Sequence, residues 1–355
     1  MKLDLFDYDL PKERIAQSKS DPRDASRLFF IDNTGSDPVH EHHRFRDIVN
    51  LLDEGDLLVL NRSRVIPARI PATKTTGGKA EVLLLERKGR DRWDALVGGK
   101  RIREGEHLLT GDEEVKIQVL ERIDEGKCSV CFIDEEGTLD HSRALEWLNR
   151  WGLMPTPPYI KRMLDDPEEY QTVYGDIEGS VAAPTAGLHF TEDLLVALKR
   201  KGIRIAYIIL HVGMGTFAPV KSDNIKDHIM EEEEFFIPDS VKDAIKDAVE
   251  ETRESENSRI WVVGTTVMRS LESAFNSEGD CVVEKGRTGL YITPGYKFKL
   301  PYKGFITNFH LPRSTPLILV SAFFDREKAL EAYREAVKMR YRFYSLGDSM
   351  MIRRS

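Results

Sequence analysis

Between residues 68 and 135 the sequence contains only short β-like runs, and this stretch constrains the fold more than any other. The runs are 68-ARIPAT-73, 80-AEVLLLER-87, 92-RWDALVGG-99, 106-EHLLT-110, 115-VKIQVLER-122 and 128-CSVCFID-134. They recur at roughly ten-residue spacing with Gly, Asp and Lys between them, the pattern of a small barrel or sandwich. Six such strands can close on themselves, which removes the open edges that invite aggregation.

The flanking sequence alternates strand and helix instead. Residues 27-RLFFID-32 and 57-LLVLN-61 read as strands, with a helix marked by Phe45, Ile48, Val49 and Leu52 between them. Pro11 predicts a helix start for 11-PKERIAQ-17. After a predicted helix over 141-HSRALEWLNRW-151, Thr191 and Gly202 bracket another, followed by the buried strand 203-IRIAYIIL-210. Residues 239–256 form an amphipathic helix with Val241, Ile245, Ala248 and Val249 inward. Then come the strand 260-IWVVGTT-266, the helix 267-VMRSLESAF-275 and the strand 304-GFITNFHL-311. A helix started by Ser314, Thr315 and Pro316 and a last helix capped by Asp325 complete the chain. The expected architecture is an α/β main domain (1–69 plus 151–355) with a mixed, largely parallel sheet, interrupted by an inserted all-β, six-stranded barrel-like domain (70–150). The length of 355 residues suits two domains. Sheets of this kind bind ligands outside the carboxyl ends of their strands.

Composition narrows the function classes. No run of about eighteen apolar residues exists, so no membrane span is expected. The start, MKLDLFDYDLPKER, lacks an apolar signal core, which predicts a cytoplasmic location. Cys128 and Cys131 form a CxxC without a second pair or a nearby histidine, and read as reduced cysteines in a strand. The net charge of −8 argues against non-specific polyanion binding, although 52 Lys and Arg side chains could still concentrate on one face.

His189, His211 and His310 each stand where an apolar run breaks into a loop. An imidazole there is held by a stiff element and suits general acid–base work near neutral pH. Metal binding is the rival use, but the spacings are long and no HxH or HExxH occurs, so no metal is expected. The run 40-HEHH-43 reads as an exposed loop or helix entry. The segments 213-GMGTF-217 and 264-GTTVMR-269 are small-residue turns, the second leading into a helix whose free N–H groups favour an anion. Neither fits a dinucleotide or P-loop pattern. Arginines in 23-RDASR-27, 61-NRSRVIPAR-69 and 161-KR-162 could clamp a carboxylate or phosphate. Tyr159 could stack on a base or simply pack.

Longer strings reach further. LPKERIAQ (10–17), RDASRL (23–28), GDLLVLNRSRVIPARI (55–70), WGLMPTPPYI (151–160), YQTVYGDIEGSVAAPTAGLHFT (170–191), LHVGMGTFAPV (210–220), TPGYKFK (293–299), TNFHLPRST (307–315) and YRFYSLGDSMMI (341–352) run almost from end to end. The chain carrying them closely resembles the S-adenosylmethionine:tRNA ribosyltransferase-isomerases of queuosine biosynthesis. It departs from that family's pattern at Val267, Gly289 and Glu231, and at Phe324 and Asp325 after SAF.

The resemblance implies transfer of the ribosyl group of S-adenosylmethionine to the aminomethyl group of a 7-deazaguanine at the tRNA wobble position, with adenine and methionine leaving and epoxyqueuosine formed. It implies no cofactor, S-adenosylmethionine being a consumed substrate, and a monomer that takes that tRNA as partner. The sulfonium acidifies the neighbouring 5′ carbon, so the reaction asks for a base. Adenine leaves only if protonated, and developing oxyanions need fixed donors. His189, His211, His310 and Thr185 are the expected catalytic residues. Arg27, Arg64, Gly213, Gly215, Thr216, Thr266, Arg269 and Asn308 are the expected substrate contacts, with Asn308 as a donor and Arg269 or Arg64 against the methionine carboxylate. A non-catalytic RNA-binding protein on the same scaffold is the competing expectation.

Overall fold

The structure is a computed structural model. It describes residues 1–112, 114–124, 126–157, 159–162, 166–213, 220, 222–255 and 257–354. The chain begins with β1 (Arg27–Asn33), β2 (Val39–Arg44), α1 (Ile48–Leu51), β3 (Leu57–Asn61) and β4 (Ser63–Val65). Seven strands follow: β5 (Arg69–Lys74), β6 (Lys79–Lys88), β7 (Arg92–Gly99), β8 (His107–Leu109), β9 (Lys116–Asp124), β10 (Lys127–Asp134) and β11 (Gly137–Thr138). The chain then runs through α2 (His141–Trp151), β12 (Ile177–Ser180), α3 (Glu192–Arg200), β13 (Arg204–Leu210), β14 (Glu233–Phe236) and α4 (Asp239–Ser255). It ends with β15 (Ile260–Val263), α5 (Thr265–Ala274), β16 (Lys285–Thr288), β17 (Tyr302–Asn308), α6 (Thr315–Phe323), α7 (Arg326–Lys338) and β18 (Ser349–Arg354).

The strands from β5 to β10 form a closed antiparallel barrel. Neighbours run β5–β6–β7–β10–β9–β8, and β8 pairs back onto β5. The β9–β10 seam sets Val119 opposite Val130 and Ile117 opposite Phe132, so both strands turn apolar side chains into one core. Helix α2 plugs onto that core through Ala144, Trp147 and Leu148. Asp140 caps it, its side chain accepting from Arg143 N at 3.0 Å. Entry and exit of this segment touch: Arg69 N donates to Leu153 O (3.1 Å) and Leu153 N to Arg69 O (2.8 Å). Cys128 and Cys131 are free thiols buried in β10.

The second sheet has nine strands in the order β16-β14-β13-β3-β15-β17-β18-β1-β2. Its centre, β13-β3-β15-β17, is parallel, and the flanks are antiparallel except for the parallel β18–β1 pair. The sheet is therefore mixed, with parallel pairing where both faces are covered. Strand β3 is buried at every position. Leu57 and Val59 face one core with α4, α5, α6 and α7, while Leu58 and Leu60 face the other with α1 and α3. Each fully buried Leu or Val contributes about 1.5–3 kcal/mol, so a strand apolar on both sides belongs at the centre.

The structure corrects several sequence expectations. Residues 11–17 hold only a 3-10 turn, Lys12–Arg14, because the next residues pair with the C-terminal region instead: Ala16 N donates to Phe343 O (3.1 Å) and Phe343 N to Arg14 O (2.7 Å). The histidines of 40-HEHH-43 are not in a loop. They belong to edge strand β2, with His40 Nδ1 at 2.7 Å from Glu335 and His42 Nδ1 at 2.8 Å from the Tyr341 hydroxyl. Strands β14, β16 and β18 had no expectation attached to them. Among the described residues no helix is long and apolar enough to cross a membrane.

Candidate active site

Three parallel strands deliver their carboxyl ends to one crevice. β13 ends in His211, Val212 and Gly213. β15 ends in Gly264, whose φ of +91° turns the chain into α5. β17 ends in Asn308 and leads through His310 to α6. In the sheet order β3 lies between β13 and β15, so consecutive connections diverge there, and this switch point is where such sheets hold ligands.

The crevice has three adjoining lobes. The first, about 180 Å³, lies between barrel side chains, including Trp93 and His141, and main-sheet residues including His211 and Glu231 to Glu234. The second, about 50 Å³, is lined by hydroxyls of Thr185, Thr265, Thr266, Thr307 and Ser345, with Asn308 and His310. The third, about 20 Å³, lies over Arg269, Tyr291 and Leu319. Val212 walls the first two, Thr265 and Pro316 the last two, and Met230 the first and third. Thr265 and Thr315 are the first residues of α5 and α6. The α5 N-terminus has no side-chain cap, so its unpaired N–H groups favour negative charge, whereas α6 is capped by Ser314 and has Pro316 in its first turn.

The three histidines do not play equivalent parts. His310 lines the second lobe, with Nε2 at 2.9 Å from Thr307 Oγ1. Burial pushes its pKa down to about 3, so the ring is neutral throughout the physiological range. His211 lines the first lobe and packs on Gly179. Burial lowers its pKa too, with Glu234 opposing, and its buried Nδ1 has no partner among the described residues. His189 follows no strand, contrary to expectation. It closes the 3-10 turn Thr185–His189 just ahead of the Thr191 cap of α3, and it lines none of the three lobes. Both of its nitrogens are engaged, Nδ1 with Ser26 Oγ (2.8 Å) and Nε2 with Asn308 Nδ2 (3.1 Å).

Of the other expected residues, Thr185, Thr266, Asn308 and Gly213 meet in or beside the crevice. Gly213 N donates to Glu233 Oε1 at 2.9 Å. Gly215 and Thr216 lie outside the described residues. Arg269 lines the third lobe, but its guanidinium is already committed to Glu233 (2.5 Å), Leu290 O (2.9 Å) and Thr288 O (2.9 Å). Asn308 is not placed as a donor to the crevice, since its amide nitrogen serves His189 and Tyr344 O (3.2 Å). Arg64 pairs with Glu168, and Arg27 lies 3.7 Å over the Tyr341 ring and donates to Met339 O (2.7 Å). Neither arginine lines these lobes. Reading the sequence missed His141, Thr265, Thr307 and Ser345. The GTT turn already pointed to Thr265, whereas nothing local marks His141, whose importance comes from facing a cavity shared with His211. Among the described residues no group of three His, Cys, Asp or Glu side chains is arranged to hold a metal ion.

A crevice at the ends of parallel strands, furnished with hydroxyls, an uncapped helix N-terminus and neutral imidazoles, is the arrangement of an α/β enzyme. The family model described as "Queuosine biosynthesis protein" matches residues 3–352. The S-adenosylmethionine:tRNA ribosyltransferase-isomerase of Acetivibrio thermocellus is 46% identical over 99% of this chain and 100% of its own length. That of Moorella thermoacetica is 47% identical over 99% and 100%. The crystal structure of S-adenosylmethionine tRNA ribosyltransferase from Thermotoga maritima superposes with a TM-score of 0.52 at 35% identity, covering 98% of this chain and 99% of that one. The chain belongs to the S-adenosylmethionine:tRNA ribosyltransferase-isomerase family, transferase enzymes of queuosine biosynthesis.

Proposed function

We propose that this chain transfers and isomerises the ribosyl moiety of S-adenosylmethionine onto 7-aminomethyl-7-deazaguanine at the wobble position of tRNA, releasing adenine and methionine and giving epoxyqueuosine. The observation that carries this reading is the meeting of two chemically different lobes at Val212. The second lobe is small, rich in hydroxyls and walled by a neutral imidazole, which suits a sugar. The first is lined by Glu178, Glu231, Glu232 and Glu234 against Arg87 and Lys127, an acidic excess that suits the cationic aminomethyl group of the acceptor base.

The residues divide the chemistry accordingly. His310 and His211 are both neutral at rest, but full burial makes His310 a weak base, so His211, whose lowering Glu234 opposes, is the better fit for taking the proton made acidic by the adjacent sulfonium. Neither rests as a proton donor, so adenine takes its proton from another group. The uncapped N-terminus of α5 offers the methionine carboxylate a site that needs no free arginine. Thr185, Thr266 and Thr307 are fixed hydroxyls for oxygens that gain charge as the sugar rearranges. S-adenosylmethionine is consumed, so the reading calls for no resident cofactor, and its tRNA substrate fits a cytoplasmic site of action.

The test is incubation with ribose-labelled S-adenosylmethionine and tRNA bearing the 7-aminomethyl-7-deazaguanine base, followed by nucleoside analysis. Label in the wobble nucleoside with release of adenine and methionine is expected. Folded protein that binds this tRNA yet incorporates no label would replace the proposal with a non-catalytic RNA-binding role.

A further inference from the structure

We infer that His189 is a positioning residue for Asn308: it locks the Asn308 amide so that the carbonyl oxygen is presented to the second lobe, as acceptor for a hydroxyl of the bound ligand. The identity of that ligand as the ribosyl donor rests on the function proposed above; the lock itself does not.

The hydrogen bonds leave one consistent arrangement. Asn308 Nδ2 is 3.2 Å from Tyr344 O and 3.1 Å from His189 Nε2. A backbone carbonyl only accepts, so the amide atom facing Tyr344 O is the nitrogen; a flipped amide would oppose two oxygens. Its second N–H then points at His189 Nε2, which must carry the lone pair. The imidazole proton therefore sits on Nδ1, donated to Ser26 Oγ at 2.8 Å. The ring is held by Phe45, stacked with centroids 4.9 Å apart, and burial keeps it neutral, as the arrangement requires.

What remains of the amide is Oδ1. It is buried and has no partner among the described residues, in a residue 2% exposed that lines the second lobe. A buried acceptor left without a donor is costly, so an occupant that donates to it gains correspondingly. The surrounding hydroxyls of Thr185, Thr266, Thr307 and Ser345 can each donate and accept, as a polyhydroxylated ring demands. His189 itself has no free nitrogen to exchange a proton with a ligand in that lobe.

Two measurements test the inference. The first is ¹⁵N NMR of the imidazole in the unliganded protein, which reads the tautomer without any ligand. A protonated Nδ1 and bare Nε2 on His189 are expected, and the reverse tautomer or a charged ring at pH 7 would overturn the lock. The second is calorimetric binding of S-adenosylmethionine and its 2′-deoxy and 3′-deoxy forms to wild type and Asn308→Ala. Removal of one neutral hydrogen bond should weaken S-adenosylmethionine binding about 3- to 10-fold. One deoxy form should lose a similar factor against wild type and nothing further against Asn308→Ala. Equal losses in both proteins would overturn the acceptor role. Absence of S-adenosylmethionine binding to wild type would sink both the acceptor role and the proposed function, while the tautomer still decides the lock. In turnover, His189→Gln, whose amide oxygen can reach the Nε2 position, should recover most of what His189→Ala loses and leave the pH profile unmoved. Should His189→Ala fail to fold, Ser26→Ala removes the anchor of the tautomer and should raise KM for S-adenosylmethionine more than it lowers kcat. A folded His189→Gln that binds S-adenosylmethionine normally but loses about 100-fold or more in kcat would instead make His189 a proton-transfer group.

Discussion

His211 rests on Gly179: a Cβ placed there would lie 2.5 Å from His211 Cε1 and 2.6 Å from Nδ1, and the glycine φ is +145°. The imidazole occupies the space that any side chain would fill. Gly179→Ala should therefore displace the ring and add backbone strain of about 1–3 kcal/mol. The expected result is a fall of about tenfold or more in kcat, with a folded protein by circular dichroism. Wild-type turnover in that variant would separate His211 from the chemistry.

The Arg269–Glu233 pair should be far more important to stability than any surface bridge in the chain. Both side chains are about 5% exposed, and the arginine also holds Leu290 O and Thr288 O. Removing one partner strands a buried charge, at a cost of about 3–5 kcal/mol. Urea unfolding of Arg269→Gln should show that loss, and Arg269→Gln/Glu233→Gln should recover part of it. A single variant with the wild-type midpoint would mean water already reaches the pair.

Stability should fall with acid in a window set by the buried histidines. Burial takes His189 and His310 to about 3 in the folded state, His189 with help from Arg342 and Arg23, while the unfolded value is about 6.5. A folded pKa below the unfolded one means the unfolded chain binds more protons as pH drops. This contribution is thus complete above about pH 6.5 and is lost toward pH 3, at about 1.4 kcal/mol per pH unit for each ring. Urea midpoints should be flat between pH 7 and 8 and lower at pH 5. Equal midpoints at pH 7 and 5 would show that water or a counter-charge reaches these rings.

His141 should matter to acceptor recognition although it belongs to the barrel's helix. Its Nδ1, like that of His211, is buried and lacks a partner among the described residues, and both rings line the first lobe. His141→Ala should lower kcat/KM for the tRNA about fivefold or more, as expected for a lost buried hydrogen bond, and leave S-adenosylmethionine binding unchanged. Equal effects on both substrates would place the base elsewhere.

Local signals were legible wherever local physics decides structure. The barrel strands announce themselves by alternation and spacing, and Thr191, Ser314 and Asp325 cap the helices they were expected to cap. Strand β18 was not visible because 349-SMMIRR-354 has no strict alternation and owes its form to β17 and β1, far away along the chain. The candidate site was half legible for the same reason. Sequence identifies a histidine, an asparagine or an arginine, but not who fills its lone pairs and N–H groups. Arg64 and Arg27 looked free until Glu168 and Tyr341 claimed them. Asn308 looked like a donor until Tyr344 O and His189 took both of its hydrogens.

The Arg69–Leu153 rung makes the barrel a side branch of the α/β body, with both roots pinned at one point and β4 and β12 bound together nearby, Ser63 opposite Ile177. Such a branch can loosen or melt as its own cooperative unit without parting a strand of the nine-stranded sheet. Because the branch also supplies one wall of the first lobe, any loosening of it would widen that lobe while the residues around the second lobe, which belong to the α/β body, keep their places.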